Sequence, residues 1–274
     1  MPGGTDKRAG APRVWLITGA SRGLGYSVAA RVAARGDALV ICARDGEALG
    51  RAARRLAARG GAVEALAGDV SEPAFAARLV EAALRRFGRI DVLVNNASTL
   101  GPSPRPPLDE YPLEALARVY AVNVLAPLRL IQLVLPHFRR RRSGTIINVT
   151  SDAAVEGYAG WGGYGSSKAA LELITRTLAA ELAGTGIRVA AVDPGDMRTR
   201  MHQEAFPGED ISDRPPPEVA VPAILWLADH GPEPGCWRYR AQGWNPPAGD
   251  AVAAGGAGDA PPASGPGAGG GMQP

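Results

Sequence analysis

The chain contains the stretch Val14-Trp-Leu-Ile-Thr-Gly-Ala-Ser-Arg-Gly-Leu-Gly25, in which a short apolar run leads into a glycine-rich turn. The apolar run is typical of a strand buried on both faces, and the residues from Tyr26 onward have the pattern of a helix. A strand that turns through glycines into a helix presents backbone N–H groups and the helix dipole to an anion. The spacing Gly-x-x-x-Gly-x-Gly is a variant of the dinucleotide fingerprint, so this stretch predicts a phosphate-binding turn.

The same alternation of apolar runs and helical segments continues along the chain and predicts the fold class. Further strands are predicted at 38–43, 62–67, 91–94, 145–149 and 187–192, and helices at 46–59, 72–87, 113–140, 163–183 and 218–229. Strands that alternate with helices predict an α/β protein, here a Rossmann-type, doubly wound parallel sheet in three layers and a single domain. We also expect Pro127 and Pro136 to kink their helix, a mobile lid at about 196–217, and an edge strand at 236–240.

The composition indicates how the chain is divided into segments and in which cellular compartment we expect the protein. Residues 1–12 are expected to be a flexible leader, residues 13–245 the folded domain, and the Gly-, Ala- and Pro-rich residues 246–274 a disordered tail. Two cysteines are too few for a disulfide framework and suit a reducing cytosol. The N-terminus lacks a signal-peptide core, and no apolar run approaches the ~20 residues that span a bilayer. The sequence therefore predicts a cytoplasmic protein that does not bind a membrane.

The charge pattern argues against two other classes of ligand. The formal net charge is only +3, and the run Arg139-Arg-Arg-Arg142 ends a predicted helix, where cations interact favourably with the helix dipole. We therefore expect no nucleic-acid binding. His202 has no His, Cys or Asp partners at metal-ligand spacing, so we also expect no metal site.

Tyr164 and Lys168 are candidates for acid–base chemistry. They lie four residues apart at the start of a predicted helix, so the phenol and the ammonium group project from the same face. A free tyrosine, with a pKa near ~10, is a poor proton donor or acceptor at neutral pH. A neighbouring cation stabilises the phenolate and lowers that pKa. Taken alone, the pair is also compatible with a chance arrangement on a solvated helix face.

Two arginines favour one nicotinamide cofactor over the other. Arg44 follows the second predicted strand, and Arg22 lies in the glycine turn. In a dinucleotide fold a carboxylate at the end of this strand holds the ribose 2′-hydroxyl of NAD, whereas arginine accommodates the 2′-phosphate of NADP. The two cations favour NADP(H) over NAD(H). The alternative is that Arg44 only starts a surface helix, with Asp45 as its cap.

Several candidate site residues share a position at the carboxyl end of a predicted strand. They are Gly19, Arg44, Asp69, Asn95, Ser151 and Pro194. In a doubly wound parallel sheet these ends meet in one crevice near the switch point, where ligands bind. The sequence therefore predicts a single ligand site built from residues that are far apart in the chain.

Over about residues 13–230 the chain resembles the short-chain dehydrogenase/reductase family. The resemblance is carried, in the family's order, by Thr18–Gly25, Asp69-Val70, Asn95-Asn-Ala97, Asn123, Ser151, Tyr164-x-x-x-Lys168, and Pro194-Gly195 followed by Thr199. Ser151 stands thirteen residues before Tyr164, as the family pattern requires. The resemblance implies hydride transfer between a nicotinamide and a small carbonyl or alcohol substrate.

The resemblance also implies a role for each matching residue. Tyr164 would protonate the carbonyl oxygen, Lys168 would lower the pKa of the tyrosine and bind the nicotinamide ribose, and Ser151 would donate a hydrogen bond to the carbonyl. Asn123 would hold a water in a proton relay. Cofactor contacts are expected from Gly19, Ser21, Arg22, Gly23, Leu24, Gly25, Arg44, Asp69, Val70, Asn95, Ala97, Tyr164, Lys168, Pro194, Gly195 and Thr199.

Each of the single residues also has a structural interpretation. Ser151 is compatible with an ordinary serine at a strand end, Asn123 with a bridge between neighbouring elements, and Asp69 with a residue that precedes a turn. The set as a whole, rather than any one member, carries the functional interpretation.

The chain departs from the family pattern at two places. Ser98 stands where the family often has glycine and adds bulk beside the cofactor. Many members also end in a glycine-rich strand that packs a tetramer interface, whereas here the corresponding stretch is Gly235-Cys-Trp-Arg-Tyr-Arg240. This puts a tetramer in doubt and leaves a homodimer or a monomer.

Three functions are consistent with this pattern. The first is an NADPH-dependent carbonyl reductase in which Tyr164 is the general acid. The second is a catalytically silent nucleotide-binding scaffold of the same fold, although such a protein has no chemical need for Asn123, Ser151, Tyr164 and Lys168 together. The third is a dehydratase or epimerase of the same fold, which the reductase motifs do not favour.

Overall fold

A parallel sheet of seven strands, in the order β3-β2-β1-β4-β5-β6-β7, forms the centre of the part of the chain that is described. The computed structural model describes residues 12–245, so the predicted tail and all but the last residue of the predicted leader lie outside the described residues. The strands are β1 Val14–Thr18, β2 Ala38–Ala43, β3 Val63–Ala67, β4 Val92–Asn95, β5 Gly144–Val149, β6 Ile187–Asp193 and β7 Arg238–Arg240. The strand order reverses between β1 and β4, which places the switch point beside the glycine turn.

Helices cover both faces of this sheet. They are α1 Gly23–Ala34, α2 Gly46–Ala57, α3 Pro73–Phe87, α4 Leu113–Tyr120, α5 Ala126–Arg141, α6 Gly162–Glu181, α7 Arg200–Ala205 and α8 Val221–His230. Short 3₁₀ turns occupy Leu108–Glu110, Asp152–Ala154 and Pro217–Ala220. The three-layer, doubly wound fold predicted from the sequence is confirmed.

Alternate residues of the central strands belong to two separate cores. Trp15 and Ile17 of β1 pack against α1, α2 and α8, whereas Val14 and Leu16 pack on the opposite face against α3, α5 and α6. Every residue of β1 is buried. Burial on both faces explains why the strands are continuous apolar runs without polar alternation.

The helical segment from α4 to α5 differs from the single helix predicted for it. A π-helical turn, Ala121–Leu125, separates the two helices, and Asn123 lies at its centre. Pro127 is the second residue of α5, directly after this π turn, and Pro136 lies inside α5. The spacing of apolar residues in the sequence does not show that one helical turn contains an extra residue, so the π turn was not predicted. Such π turns are frequent at functional sites.

The combined segment Leu113–Arg141 is also long and apolar enough to cross a membrane when judged only by length and composition. The sequence had led us to expect no such segment, because no uninterrupted apolar run is long enough to span a bilayer. However, 56% of its most apolar window is buried inside the protein. Leu130, Val134 and Phe138 lie in the core shared with α3. Its hydropathy is explained by packing, so the segment is a core helix of this fold.

The chain after β6 contains one helix that was not predicted and one strand that was. The lid predicted at about 196–217 includes α7, which is too short and too polar to show helical periodicity in the sequence. The predicted edge strand is confirmed as β7, limited to three residues, and it pairs in parallel with β6.

Candidate active site

The turn between β1 and α1 is held against the end of β4 by a side-chain amide. Gly19 and Gly23 have φ values of +67° and +56°, a left-handed conformation that favours glycine. Nδ2 of Asn96 donates to the carbonyl oxygens of Thr18, at 2.8 Å, and of Gly19, at 3.1 Å. The hydroxyl of Thr18 in turn accepts from the backbone N–H of Asn96 at 3.0 Å. The carboxyl ends of two neighbouring strands are therefore joined directly beneath the predicted phosphate-binding turn.

One cavity of about 760 Å³ runs along the carboxyl ends of the strands. Most predicted site residues lie on its wall, namely Gly19, Ser21, Arg22, Gly23, Leu24, Arg44, Asp69, Val70, Ala97, Ser151, Tyr164, Lys168, Pro194, Gly195 and Thr199. The two predicted phosphate-binding arginines line this cavity together with Trp161 and residues of α7. The structure thus brings these residues to a single crevice, which is large enough for an extended ligand.

Three predicted site residues do not line this cavity: Gly25, Asn95 and Asn123. The side chain of Asn95 is buried, and its Nδ2 donates to Oδ1 of Asn148 on β5 at 2.8 Å. Its neighbour Asn96 lines the cavity instead. Asn95 is the last residue of β4 and its side chain is directed at β5, whereas Asn96 is the first residue beyond the strand.

The side chain of Asn123 is fully buried and uses all of its hydrogen-bonding capacity. Its Oδ1 accepts from the hydroxyl of Ser98 at 3.0 Å and from the N–H of Thr99 at 2.9 Å. Its Nδ2 donates to the carbonyl of Thr99 and to the hydroxyl of Ser167, both at 2.9 Å. An amide forms about four such bonds, so these partners occupy the whole side chain. The side chain thereby joins the loop after β4 to α6.

Tyr164 lies in the first turn of α6 with its ring buried, edge-on to Trp161 at 5.7 Å between centroids. Burial raises the pKa of its phenol well above the usual value, and the nearby hydroxyl of Ser151 opposes this increase. The direction is opposite to the one expected from the sequence. The ammonium group of Lys168 lies 5.5 Å from the ring centroid. Desolvation of the phenolate is therefore the largest influence on this pKa.

The hydroxyl of Ser151 is directed at an acidic neighbour that the sequence analysis did not identify. Oγ of Ser151 donates to Oδ1 of Asp152 at 2.8 Å. The hydroxyl of Tyr158 donates to the other carboxylate oxygen of Asp152 at 3.0 Å. All three residues line the cavity. The only signal in the sequence for Asp152 as a site residue is its position directly after a serine at the end of a strand.

Lys168 is buried one helical turn after Tyr164. Its Nζ donates to the carbonyl oxygen of Val149, the last residue of β5, at 2.8 Å. Burial lowers its pKa to about 8, and the carboxylate of Glu172 acts in the opposite direction. A lysine with this pKa exchanges its proton close to neutral pH, so it is able to supply or accept a proton beside the phenol.

At the other end of the cavity, Asp45 has the structural role that was considered for it. Its carboxylate accepts from the N–H of Ala48 at 2.9 Å and so caps α2. The same carboxylate lies 3.7 Å from Nη2 of Arg22. Arg44 is exposed and lines the cavity beside it. Arg22 and Arg44 therefore both line this end of the crevice near Asp45. Arg22 partly neutralises the carboxylate of Asp45.

Asp69 lies on the cavity wall and also organises the turn after β3. Its Oδ1 accepts from the N–H and the hydroxyl of Ser71, at 2.9 and 2.7 Å. Its Oδ2 lies 3.3 Å from Nη2 of Arg118 on α4. The turn interpretation and a cofactor contact are thus both open to this residue.

Arg105 contacts the end of α7 and two aromatic residues that line the cavity with Tyr164. Its guanidinium lies 4.0 Å from the ring centroid of Trp161 and 5.2 Å from that of Phe206. Its Nη1 donates to the carbonyl of Ala205 at the end of α7. His202 of α7 packs on Phe206 at 4.9 Å between centroids. Arginine stacked on aromatic rings connects α7 to Trp161, a role that no local sequence pattern indicates.

Comparison with known proteins agrees with this geometry. The family profile described as short chain dehydrogenase matches residues 13–210. The chain is 38% identical to 1-deoxy-11-beta-hydroxypentalenate dehydrogenase of Streptomyces exfoliatus, over 70% of each chain. It is 39% identical to the rhamnolipids biosynthesis 3-oxoacyl-[acyl-carrier-protein] reductase of Pseudomonas aeruginosa, over 70% of this chain and 75% of that one.

A solved structure shows the same architecture. A Shigella flexneri protein in complex with NADP superposes with a TM-score of 0.76 at 29% identity, covering 84% of this chain and 96% of that one. The relatives are oxidoreductases, and members of the family bind nicotinamide cofactors. The buried tyrosine and lysine, the glycine turn at the switch point and the match over most of the folded residues agree: the chain belongs to the short chain dehydrogenase family and is an oxidoreductase.

Proposed function

We propose that this protein is an NADPH-dependent reductase that converts a small ketone or aldehyde into an alcohol. The observation that carries the proposal is the burial of Tyr164, together with Ser151 and Lys168, on the wall of a cavity that extends to two arginines. A bound nicotinamide would supply the hydride to the carbonyl carbon, and the residues of the chain would supply the proton and the orientation.

Tyr164 is the proton donor in this proposal. Because burial raises the pKa of the phenol, it remains protonated at neutral pH, which suits the reductive direction. Its proton goes to the carbonyl oxygen as charge develops there. The hydroxyl of Ser151 turns from Asp152 to donate to the same oxygen, which both polarises the carbonyl and fixes its orientation.

Lys168 restores the proton of Tyr164 in this proposal. Its pKa of about 8 allows the ammonium group to release a proton near neutral pH, and the carbonyl of Val149 holds its Nζ in place. Asn123 is a positioning residue here, because its four hydrogen bonds connect the loop after β4 to the helix that carries both groups.

We further propose NADP(H) as the cofactor, with NAD(H) as the alternative. The support is Arg22 and Arg44 on the cavity wall, at the end where a ribose 2′-phosphate would bind. A shallow groove continues from this end and is lined by three more arginines, Arg51, Arg55 and Arg200. Such an excess of positive charge favours an additional phosphate over a hydroxyl group.

The test is to titrate NADPH and NADH against the wild type by nucleotide fluorescence, and to follow NADPH absorbance with a panel of ketones and aldehydes. We expect Arg44→Ala to weaken NADPH binding by about 10-fold or more while NADH binding changes little, since a charge-assisted contact to phosphate is lost. The control is Arg85→Ala on an exposed position of α3. Tighter binding of NADH than of NADPH would reverse the cofactor assignment, and binding without turnover of any carbonyl would favour the scaffold alternative.

We also propose that the protein acts in the cytoplasm as a dimer or a monomer. Support for a reducing compartment is that Cys42 and Cys236 are both free thiols. The strand at the β7 end of the sheet is short and arginine-rich, unlike an apolar edge prepared for a second sheet. Sedimentation of the full chain at several concentrations tests the oligomeric state, and a tetramer would contradict it.

A further inference from the structure

The side chain of Arg238 on β7 joins three elements that carry the active site. Its Nε donates to Oε1 of Glu172 on α6 at 2.8 Å. Its Nη2 donates to Oδ2 of Asp193, at the end of β6, at 3.1 Å and to the carbonyl oxygen of Ser151 at 3.2 Å. These contacts are well buried, since Arg238 is 18% exposed, Glu172 6% and Asp193 4%. A single guanidinium thus connects the strand-end serine, the helix of the tyrosine and the last turn of the crevice.

Glu172 is the acidic neighbour of the active-site lysine. It follows Lys168 by four residues, so both side chains lie on one face of α6. Its Oε1 also accepts from the hydroxyl of Thr150 at 2.7 Å. In this position its negative charge acts on Lys168. Arg238 pairs with the same carboxylate and offsets part of that charge.

Asp193 gives the same guanidinium a second acidic partner. Its Oδ1 accepts from the N–H of Gly195 at 3.0 Å, which shapes the Pro194-Gly195 turn on the cavity wall. Removing Arg238 would leave both Asp193 and Glu172 buried without a charged partner, an arrangement that is unfavourable in a low-dielectric interior. Lys168, one turn away on the same helix, is then the cation that can pair with Glu172.

We propose that Arg238 is a positioning residue for the reaction: it takes up the charge of Glu172 and Asp193, so that Lys168 is held for the cofactor and Tyr164 rather than for Glu172. The proposal rests on the proposed function, because it concerns the same tyrosine and lysine. Arg238 lies on the final strand, beyond residue 210, where the match to the family profile ends.

The charged or titratable groups around Lys168 come from each element packed there. Tyr164 and Glu172 share α6 with the lysine, Asp152 after β5 and Asp193 on β6 act on Tyr164, and Arg238 on β7 pairs with Glu172 and Asp193. Of these, Glu172 is the carboxylate that acts on Lys168 directly and in the direction of a higher pKa. We therefore expect the pKa of Lys168 to rise when Glu172 loses its arginine partner.

The chain offers a direct measurement, because Lys7 and Lys168 are its only lysines. In protein labelled with ¹³C at the lysine ε-carbon, NMR gives two signals, and a Lys7→Gln variant assigns them. We expect Arg238→Met to raise the pKa of Lys168 by about one unit or more, as an uncompensated opposite charge does. Combining it with Glu172→Gln should return the pKa to the wild-type value or below.

A matched control and a milder variant complete the design. Arg240→Met removes an exposed arginine from the same strand and should leave the pKa of Lys168 unchanged. Arg238→Lys keeps the charge but cannot reach all three acceptors, so it should give a smaller shift of the same sign and serves if the methionine variant does not fold. An unchanged Lys168 pKa in the folded Arg238 variants, or a shift that survives Glu172→Gln, would overturn the proposal.

Kinetics supply the second readout and separate this proposal from the proposed function. We expect Arg238→Met to lower kcat by about 10- to 100-fold, as small misplacements of catalytic groups do, with NADPH affinity changed less than about threefold. The Glu172→Gln change should restore part of this loss. If the wild type turns over no carbonyl, the reductase proposal fails, whereas the NMR titration still decides the role of Arg238.

Discussion

The carbonyl oxygen of Gly19 lies 2.6 Å from the place where a β-carbon on Gly25 would stand. Nδ2 of Asn96 lies 2.5 Å from the same point. Real β-carbons do not make such contacts with a backbone atom, so α1 approaches β1 this closely only because residue 25 is glycine. Gly25 therefore acts by packing the helix against the turn, although it does not touch the cavity itself.

We expect Gly25→Ala to weaken NADPH binding by about 10-fold or more and to lower the free energy of unfolding by about 1–3 kcal/mol, because the helix must move away from the turn. The control is Gly50→Ala in α2, where a β-carbon would meet only the end of the Arg54 side chain at 3.7 Å. That change should stabilise the helix by up to about 1 kcal/mol and leave NADPH binding unchanged. Fluorescence titration and thermal unfolding of both variants measure these effects, and equal behaviour of the two would refute the packing argument.

Replacement of the proposed acid tests the chemistry without disturbing the site. Tyr164→Phe should lower kcat by about 10²- to 10⁴-fold, since proton transfer to the carbonyl oxygen is lost, while NADPH affinity stays within a few-fold of the wild type. Tyr120→Phe at the end of α4 lies off the cavity wall and should change neither quantity. A Tyr164→Phe protein with wild-type kcat would exclude the tyrosine as the acid.

Asp152 is expected to influence the pH dependence of the reverse reaction. Burial is the main reason that the pKa of Tyr164 is raised, and the carboxylates of Asp193 and Asp152 add to the effect. Alcohol oxidation requires the phenolate, so its rate rises as the pH approaches this pKa. Asp152→Asn removes one negative charge and should move the rising limb of the pH profile toward lower pH.

The same change also removes the carboxylate that now accepts the hydrogen bond of Ser151. The measurement is kcat/KM for alcohol oxidation from about pH 6 to pH 11 in both proteins. A profile that stays in place, or that moves toward higher pH, would contradict the electrostatic role of Asp152.

Arg105 is expected to control how firmly the lid closes. Arg105→Met removes the stacking on Trp161 and Phe206, an interaction worth about 1–2 kcal/mol when it is shielded from water. We expect KM for an apolar carbonyl substrate to rise by about 5- to 30-fold with a smaller change in kcat, since the lid contacts no reacting atom. Proteolysis at the lid, which should become faster, gives a second measure, and Arg85→Met on α3 is the control.

Local patterns were sufficient for much of this protein. The apolar run before the glycine turn, the period of the helices, and the four-residue spacing of Tyr164 and Lys168 are all determined within a few residues of one another. They predicted the doubly wound sheet and a crevice at its switch point because parallel strands bring their carboxyl ends to one edge. This topology explains why most of the predicted residues line one cavity.

The sequence by itself therefore determined the order of the elements, the glycine turn and the identity of the candidate acid, because each depends on neighbours in the chain. Only the tertiary structure decided which of Asn95 and Asn96 faces the ligand, and it alone showed that the amide of Asn123 is fully bonded. It also decided that burial, rather than the neighbouring lysine, dominates the pKa of Tyr164, and that Arg238 meets Glu172. Each of these depends on desolvation or on contacts between residues distant in the chain, and no local pattern encodes either one.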